Sequence, residues 1–143
     1  MVKVRIKRVD GTLPFPEYQT SGSVAFDIFS RIDLEIPAHQ TKLAPSNLII
    51  QVPEGYFLMI SARSSLQKKG LMLANGIGVI DQDYHGPEDE IGILLYNSTH
   101  DSVKIEKMDR IAQGLILPII KAEWEEAAEM KADSRGGFGS TGI

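Results

Sequence analysis

The sequence predicts an all-β sandwich or barrel, and three observations carry that expectation. Apolar and polar residues alternate with a period of two in several short stretches, each stretch is closed by Pro, Gly, Asn or Asp, and only two short segments carry a helical signature. In chain order, Val2, Val4 and Ile6 interleave with Lys3, Arg5 and Lys7, the pattern of a strand with one buried face. The stretch SVAFDIFS reads as a strongly apolar strand interrupted by Asp27, and Ile32, Leu34 and Ile36 alternate with Asp33 and Glu35. Further strands are expected at 48–52, 56–60, 91–96, 103–105 and 114–117, and a Gly-spaced apolar run leads from Leu73 to Asp81. The helical candidates are 65–69, where Ser65 is placed to cap and Gly70 to stop a brief turn, and the Glu- and Ala-rich 122–131, anchored by Trp124.

A chain of 143 residues has room for one core. Its composition, 43% hydrophobic and 24% charged, is that of a folded globular protein rather than a disordered tail. Lys+Arg 15 against Asp+Glu 19 gives a net charge of −4, the wrong sign for a protein held to nucleic acid by phosphate neutralisation. With no cysteine, disulfides, thiolate metal sites and thiol catalysis are all excluded. The opening MVKVRIKRVD lacks the apolar core of a signal peptide, and no stretch approaches the roughly 20 apolar residues that span a bilayer. A cytoplasmic protein without membrane contact is therefore expected.

Four segments hold residues suited to chemistry. In ARSSLQKKG, Arg63, Ser64 and Ser65 stand at the start of a turn, where free N–H groups and a guanidinium suit an anion; a capped surface turn with an incidental Arg fits equally. In NGIGVIDQDYHG, Asp81 and Asp83 share a face if they lie on a strand, or mark a polar hairpin end if they do not. Gly76 and Gly78 there suggest a close approach of another backbone or a flat ligand. In DRIAQGLILP, Gln113 is a lone amide in a buried strand, and Arg110 is expected to pair with Asp109. Residues 134–143, SRGGFGSTGI, are either a frayed terminus or a mobile arm that brings Arg135 and Phe138 over a ligand. His39, His85 and His100 are not spaced as a metal cluster and are expected at the surface.

Taken together, SVAFDIFS, ARSSLQKKG, NGIGVIDQDYHG, DRIAQGLILP and SRGGFGSTG resemble, in order and spacing, the five motifs of the trimeric dUTPase family. The resemblance covers nearly the whole chain. It implies a distorted β jelly roll with one short helix, a catalytic body at 1–133, and a mobile arm at 134–143 that completes the active site of a neighbour in a homotrimer. The implied reaction is hydrolysis of dUTP to dUMP and pyrophosphate, which keeps uracil out of DNA and supplies dUMP for dTMP synthesis. Asp81 matches the acid that activates water for attack on the α-phosphorus. Tyr84 matches the ring beneath the deoxyribose, and Asn75 and Gly78 belong to the hairpin that pairs with uracil. Arg63, Ser64, Ser65 and Gln113 match phosphate-contacting positions, while Arg135 and Phe138 match the arm residues over the γ-phosphate and the base. Mg²⁺, held chiefly by the phosphates, is implied as cofactor, with Asp27 reaching it through water.

The chain departs from the family pattern at Ala25, Ser65 and His85, in the added Pro87-Glu88-Asp89, and in the spacing of Arg135 from Phe138. A dCTP deaminase, which shares fold and RSS motif, needs a glutamate where this chain has Leu94, and leucine cannot relay protons. A trimer that senses nucleotide without turning it over has no need of Asp81.

Overall fold

The computed structural model describes every residue except Ser140 and Ile143. The described chain is built from strands β1 (Arg5–Arg8), β2 (Phe26–Phe29), β3 (Leu34–Ile36), β4 (Thr41–Pro45), β5 (Leu48–Gln51), β6 (Tyr56–Ser61), β7 (Leu71–Leu73), β8 (Gly78–Ile80), β9 (Gly92–Asn97), β10 (Val103–Ile105) and β11 (Arg110–Pro118), with one 3-10 turn at Leu66–Lys69. All pairings are antiparallel. Four sheets result, ordered β1-β5, β10-β3, β2-β11-β6-β8 and β4-β9-β7. The all-β expectation therefore holds.

Alternation explains the layering. Along β9, Ile93, Leu95 and Asn97 are buried while Gly92, Leu94 and Tyr96 face outward. Ile28, Ile36, Leu58, Leu95, Ile105 and Ile111 are at most 1% exposed and form one continuous core between the sheets. Each such side chain contributes about 1.5–3 kcal/mol on leaving water. Buried Asn97 holds three loops together: its amide donates to Ile36 O (2.9 Å) and Asp101 O (2.7 Å), and its carbonyl accepts from Thr99 N–H (2.9 Å). Gly114 lies where β11 crosses the Phe26 ring, and a Cβ there would come within 2.5 Å of Phe26 Cζ.

The outward face of the four-stranded sheet is unusually apolar. Leu115, Met59 and Val79 form one row across it, and Leu117 and Phe57 the next, with Val79 55% exposed.

The expectations are corrected in three respects. Residues 122–131 form no helix, and Trp124 anchors nothing within the chain, being 92% exposed. A short Glu-rich helix is marginal without a packed face, and this segment has none. The sequence reading also passed over β4 and β7. The first is an edge strand carrying Lys42 and ending in Pro45, and the second is three residues cut off by Gly70. Gly70 does stop the 3-10 turn in the left-handed region (φ 70°), donating its N–H to Gln67 O. Ser65 does not cap it; its hydroxyl is engaged elsewhere.

Candidate active site

Two corners of the four-stranded sheet gather the polar residues. At the first, Asp27 on β2 lies opposite Gln113 on β11, which lies opposite Ser61 at the end of β6. The chain continues from Ser61 into Ala62, Arg63, Ser64 and Ser65, so the turn after β6 folds back over this row. Gln113 Nε2 donates to Ala62 O (2.9 Å), tying turn to strand. Arg63 Nε sits 2.7 Å from Asp27 Oδ1, and Arg63 Nη1 donates to Ser65 Oγ at 3.2 Å. Ser64 is exposed beside them.

Asp27 is 7% exposed, so its charge needs partners. Arg63 supplies one; Arg110 Nε, 3.4 Å from Oδ2, supplies another, although Oδ2 accepts no hydrogen bond. Arg110 thus pairs with Asp27 and not with Asp109, correcting the sequence expectation. Asp109 is held by Lys69 at 2.6 Å. Burial pushes the Asp109 carboxyl up, but the Lys69 ammonium and the Glu106 N–H outweigh it and leave the group below its ordinary value.

At the second corner, β7 and β8 are joined through Asn75, Gly76 and Ile77. Gly76 adopts φ 74°, which a turn this tight requires, and Ile77 N–H donates to Asn75 O. Gly78 opens β8 facing Ile60, where a Cβ would stand 3.0 Å from Ile60 Cβ, so packing against β6 alone accounts for this glycine. Among the described residues β8 pairs only with β6, which leaves the backbone of its other edge free. After Ile80 the chain turns through Asp81–Tyr84, with Tyr84 N–H donating to Asp81 O. Asp81 and Asp83 therefore share a turn, not a strand face. Both line an open cavity of about 350 Å³ with Val79, Phe57 and Lys121. Gln82 Nε2 donates to Tyr56 O at 2.9 Å, fastening the turn to β6. The Tyr84 hydroxyl donates to Glu90 O (3.4 Å), and the ring stays 41% exposed.

Glu90 is fixed in turn. It takes a bidentate contact from Arg31 (2.8 and 3.0 Å) and the Asn47 N–H, and its hydrogen bond raises the Arg31 pKa. The Pro87–Asp89 segment is a closed turn, Asp89 Oδ2 accepting from Gly86 N–H at 2.6 Å. His85 is exposed beside it, while His39 and His100, also exposed, meet at 3.1 Å.

The structure brings Asp27, Arg63, Ser65 and Gln113 together, and separately Asn75, Gly78, Asp81 and Tyr84. β2 and β8 are opposite edges of one sheet, about 14 Å apart over three strand spacings; along β6, Gly78 lies opposite Ile60, next to Ser61, whereas Asp81 follows Ile80, opposite Leu58, and is about 13 Å from Ser61. Arg135 and Phe138 stand in the exposed tail, apart from both. Of that arm, Ser140 and Ile143 lie outside the described residues. Among the described residues no three His, Cys, Asp or Glu side chains converge as a metal cluster.

The family model described as dUTPase matches residues 12–142. The chain is 38% identical over 150 residues to the deoxyuridine 5'-triphosphate nucleotidohydrolase of Dictyoglomus turgidum, covering 100% of both, and 42% identical over 144 residues to that of a Hydrogenobaculum species, covering 98% of this chain and 96% of the relative. Among solved structures, the dUTPase of Staphylococcus bacteriophage 80alpha with dUPNHPP superposes with a TM-score of 0.87 at 25% identity, covering 100% of both chains. The dUTPase of Streptococcus mutans superposes at 0.77 with 28% identity, covering 83% of this chain and 98% of that one.

Proposed function

Because the chain belongs to the dUTPase family, we propose that it hydrolyses dUTP to dUMP and pyrophosphate, with Asp81 orienting and deprotonating the attacking water. The observation that carries this reading is the placement of Asp81, on a turn fastened by Gln82 and open to a cavity of about 350 Å³. A carboxylate so placed is accessible to water, on a turn whose backbone is fastened to β6.

The uracil ring would pair with the free backbone edge at Asn75 and Gly78, whose donor and acceptor order cytosine would leave unmet. Tyr84, its hydroxyl tied to Glu90 O, would present its ring to the deoxyribose and leave no space for a 2′-hydroxyl. Arg63, Ser64, Ser65 and Gln113 would take the phosphates; Arg63 is already aimed by Asp27, which removes part of the ordering cost on binding. Arg135 and Phe138 would close over γ-phosphate and base, the first 133 residues acting as catalytic body and 134–143 as arm. A magnesium ion, when bound, would neutralise phosphate charge and polarise the α-phosphorus. Asp27 is the carboxylate that would approach such a hydrated cation, held chiefly by phosphates; its Oδ2 is buried 3.4 Å from Arg110 Nε, so that arginine would have to move aside for a metal-bound water.

The distance between the two corners supports assembly. Asp27 on β2 and Asp81 after β8 lie at opposite edges of one sheet, and a complete site would join corners of different copies. The half-exposed apolar rows of Leu115, Met59 and Val79 give such copies a surface to bury. We take the assembly to be a homotrimer in the cytoplasm. The test is an assay of purified protein with dUTP, dCTP, dTTP and UTP, with and without Mg²⁺. Magnesium-dependent pyrophosphate release from dUTP alone is expected; tight dUTP binding without turnover would defeat the proposal.

A further inference from the structure

We propose that His39 and His100 form a surface chelate for a late first-row divalent cation of the Zn²⁺ or Ni²⁺ kind. The two histidines lie outside the residues assigned to dUTP, and the inference does not rest on that reading.

The fold alone brings the donors together. His39 lies in the turn between β3 and β4, and His100 in the turn between β9 and β10, 61 positions further on. Nε2 of His39 stands 3.1 Å from Nδ1 of His100, with ring centroids 4.9 Å apart and ring planes at 74°. Imidazole nitrogens bind zinc at about 2.0–2.1 Å, so two of them on one ion are about 2.9 Å apart at a right angle and about 3.4 Å apart at a tetrahedral one. The observed spacing falls between these limits. Both rings are exposed, so packing does not oppose the swing that turns both lone pairs toward one ion.

One buried side chain braces both turns. Asn97, 0% exposed, donates from Nδ2 to Ile36 O on one side and to Asp101 O on the other, and its Oδ1 accepts from Thr99 N–H. Its backbone carbonyl accepts from His39 N–H and its own N–H donates to Gln40 O, both at 3.0 Å. The backbone under each histidine is thereby set before an ion arrives, which removes part of the ordering cost of binding.

The backbone at His39 adds a third argument. Gln40 N–H donates to Pro37 O and closes a four-residue turn whose third member, His39, has φ 57°. Glycine is the favoured residue at such a left-handed turn position. A turn alone does not call for an imidazole there, whereas a ligand does.

Two imidazoles without a thiolate suit Zn²⁺, Ni²⁺ or Cu²⁺ rather than Mg²⁺. In the pair as it stands, one ring's N–H donates to the other's nitrogen. On binding, the donor ring carries that hydrogen on its outward nitrogen instead. Two nitrogen–metal bonds then replace two metal–water bonds, both rings stay neutral, and water keeps the remaining positions.

The experiment titrates the untagged full chain with Zn²⁺, in excess Mg²⁺, by calorimetry and follows imidazole ¹⁵N spectra. The variants are His39→Gly, His100→Gln and, as control, His85→Gln. His39→Gly relieves the left-handed position, so weakened binding there cannot come from misfolding. One equivalent of Zn²⁺ should bind per chain and raise the melting temperature. Loss of either ligand should weaken binding roughly tenfold or more and abolish that rise, with His85→Gln unchanged. In the unmodified chain, His39 Nε2 and His100 Nδ1 should be the nitrogens that shift. Zn²⁺ affinity unchanged in His39→Gly and His100→Gln, or shifts confined to other nitrogens, overturns the proposal.

Discussion

Arg63, in the turn after β6, places its Nε 2.7 Å from Oδ1 of Asp27 on β2, joining two residues that stand 36 positions apart in the chain. A buried carboxylate and a partly exposed guanidinium thereby hold each other, and the corner proposed to take the phosphates is assembled before any ligand arrives. The opposite corner, around Asp81, carries no ion pair among the described residues, which suits the proton-accepting role proposed for Asp81.

Asp81→Asn keeps size and shape but removes the proposed base. Turnover of dUTP should fall by about 10²–10⁴-fold while the nucleotide still binds. Stopped-flow turnover together with calorimetric binding checks this; near-normal rates in the variant would remove Asp81 from its assigned role.

Deleting 134–143 should lower kcat far more than stability, because the described residues of that segment are exposed and add nothing to the core. Thermal melts beside steady-state rates decide the matter. A large drop in melting temperature with rates intact would contradict it.

Val79→Glu alters a side chain 55% exposed in the single chain. For an isolated chain such a change is worth within about 0.5 kcal/mol. If copies pack through this face, sedimentation should show dissociation, accompanied by loss of activity.

Asp109 titrates below its ordinary value because of Lys69 and the Glu106 N–H. Its stabilising effect is therefore present above the unfolded carboxyl pKa and is lost as pH falls through the lower folded value. Urea midpoints at neutral pH and in strong acid should show the unmodified chain losing more stability between them than Asp109→Asn. Equal losses would mean the Lys69 contact is not populated in solution.

Much of this arrangement was legible in the sequence, and the failures share a cause. Strands with one buried face declare themselves through alternation, so β3, β6, β9 and β10 were placed within a residue or two. Asp27 and Gln113 stand out as polar residues in apolar strands, and Arg63 as a cation beside two hydroxyls at the start of a turn, but their convergence depends on sheet order, which local pattern does not encode. Arg110 was misassigned because a bulge between Arg110 and Ala112 reverses parity without changing composition. For Asp81 and Asp83 the sequence leaves a strand face and a polar hairpin end both open, because nothing local marks where β8 stops; the structure selects the turn. The 122–131 stretch has helical composition, yet helix stability in so short a segment comes from a packed face that this chain does not provide.

The separation of Asp27 from Asp81 has a genetic corollary. If each reaction centre borrows one corner from one copy and the other corner from its neighbour, a lesion at Asp81 and a lesion at Arg63 disable different halves. Two such proteins, each inert by itself, should regain part of their turnover when unfolded together and reassembled as mixed oligomers. Silence in that mixture would indicate that a lone polypeptide supplies both halves.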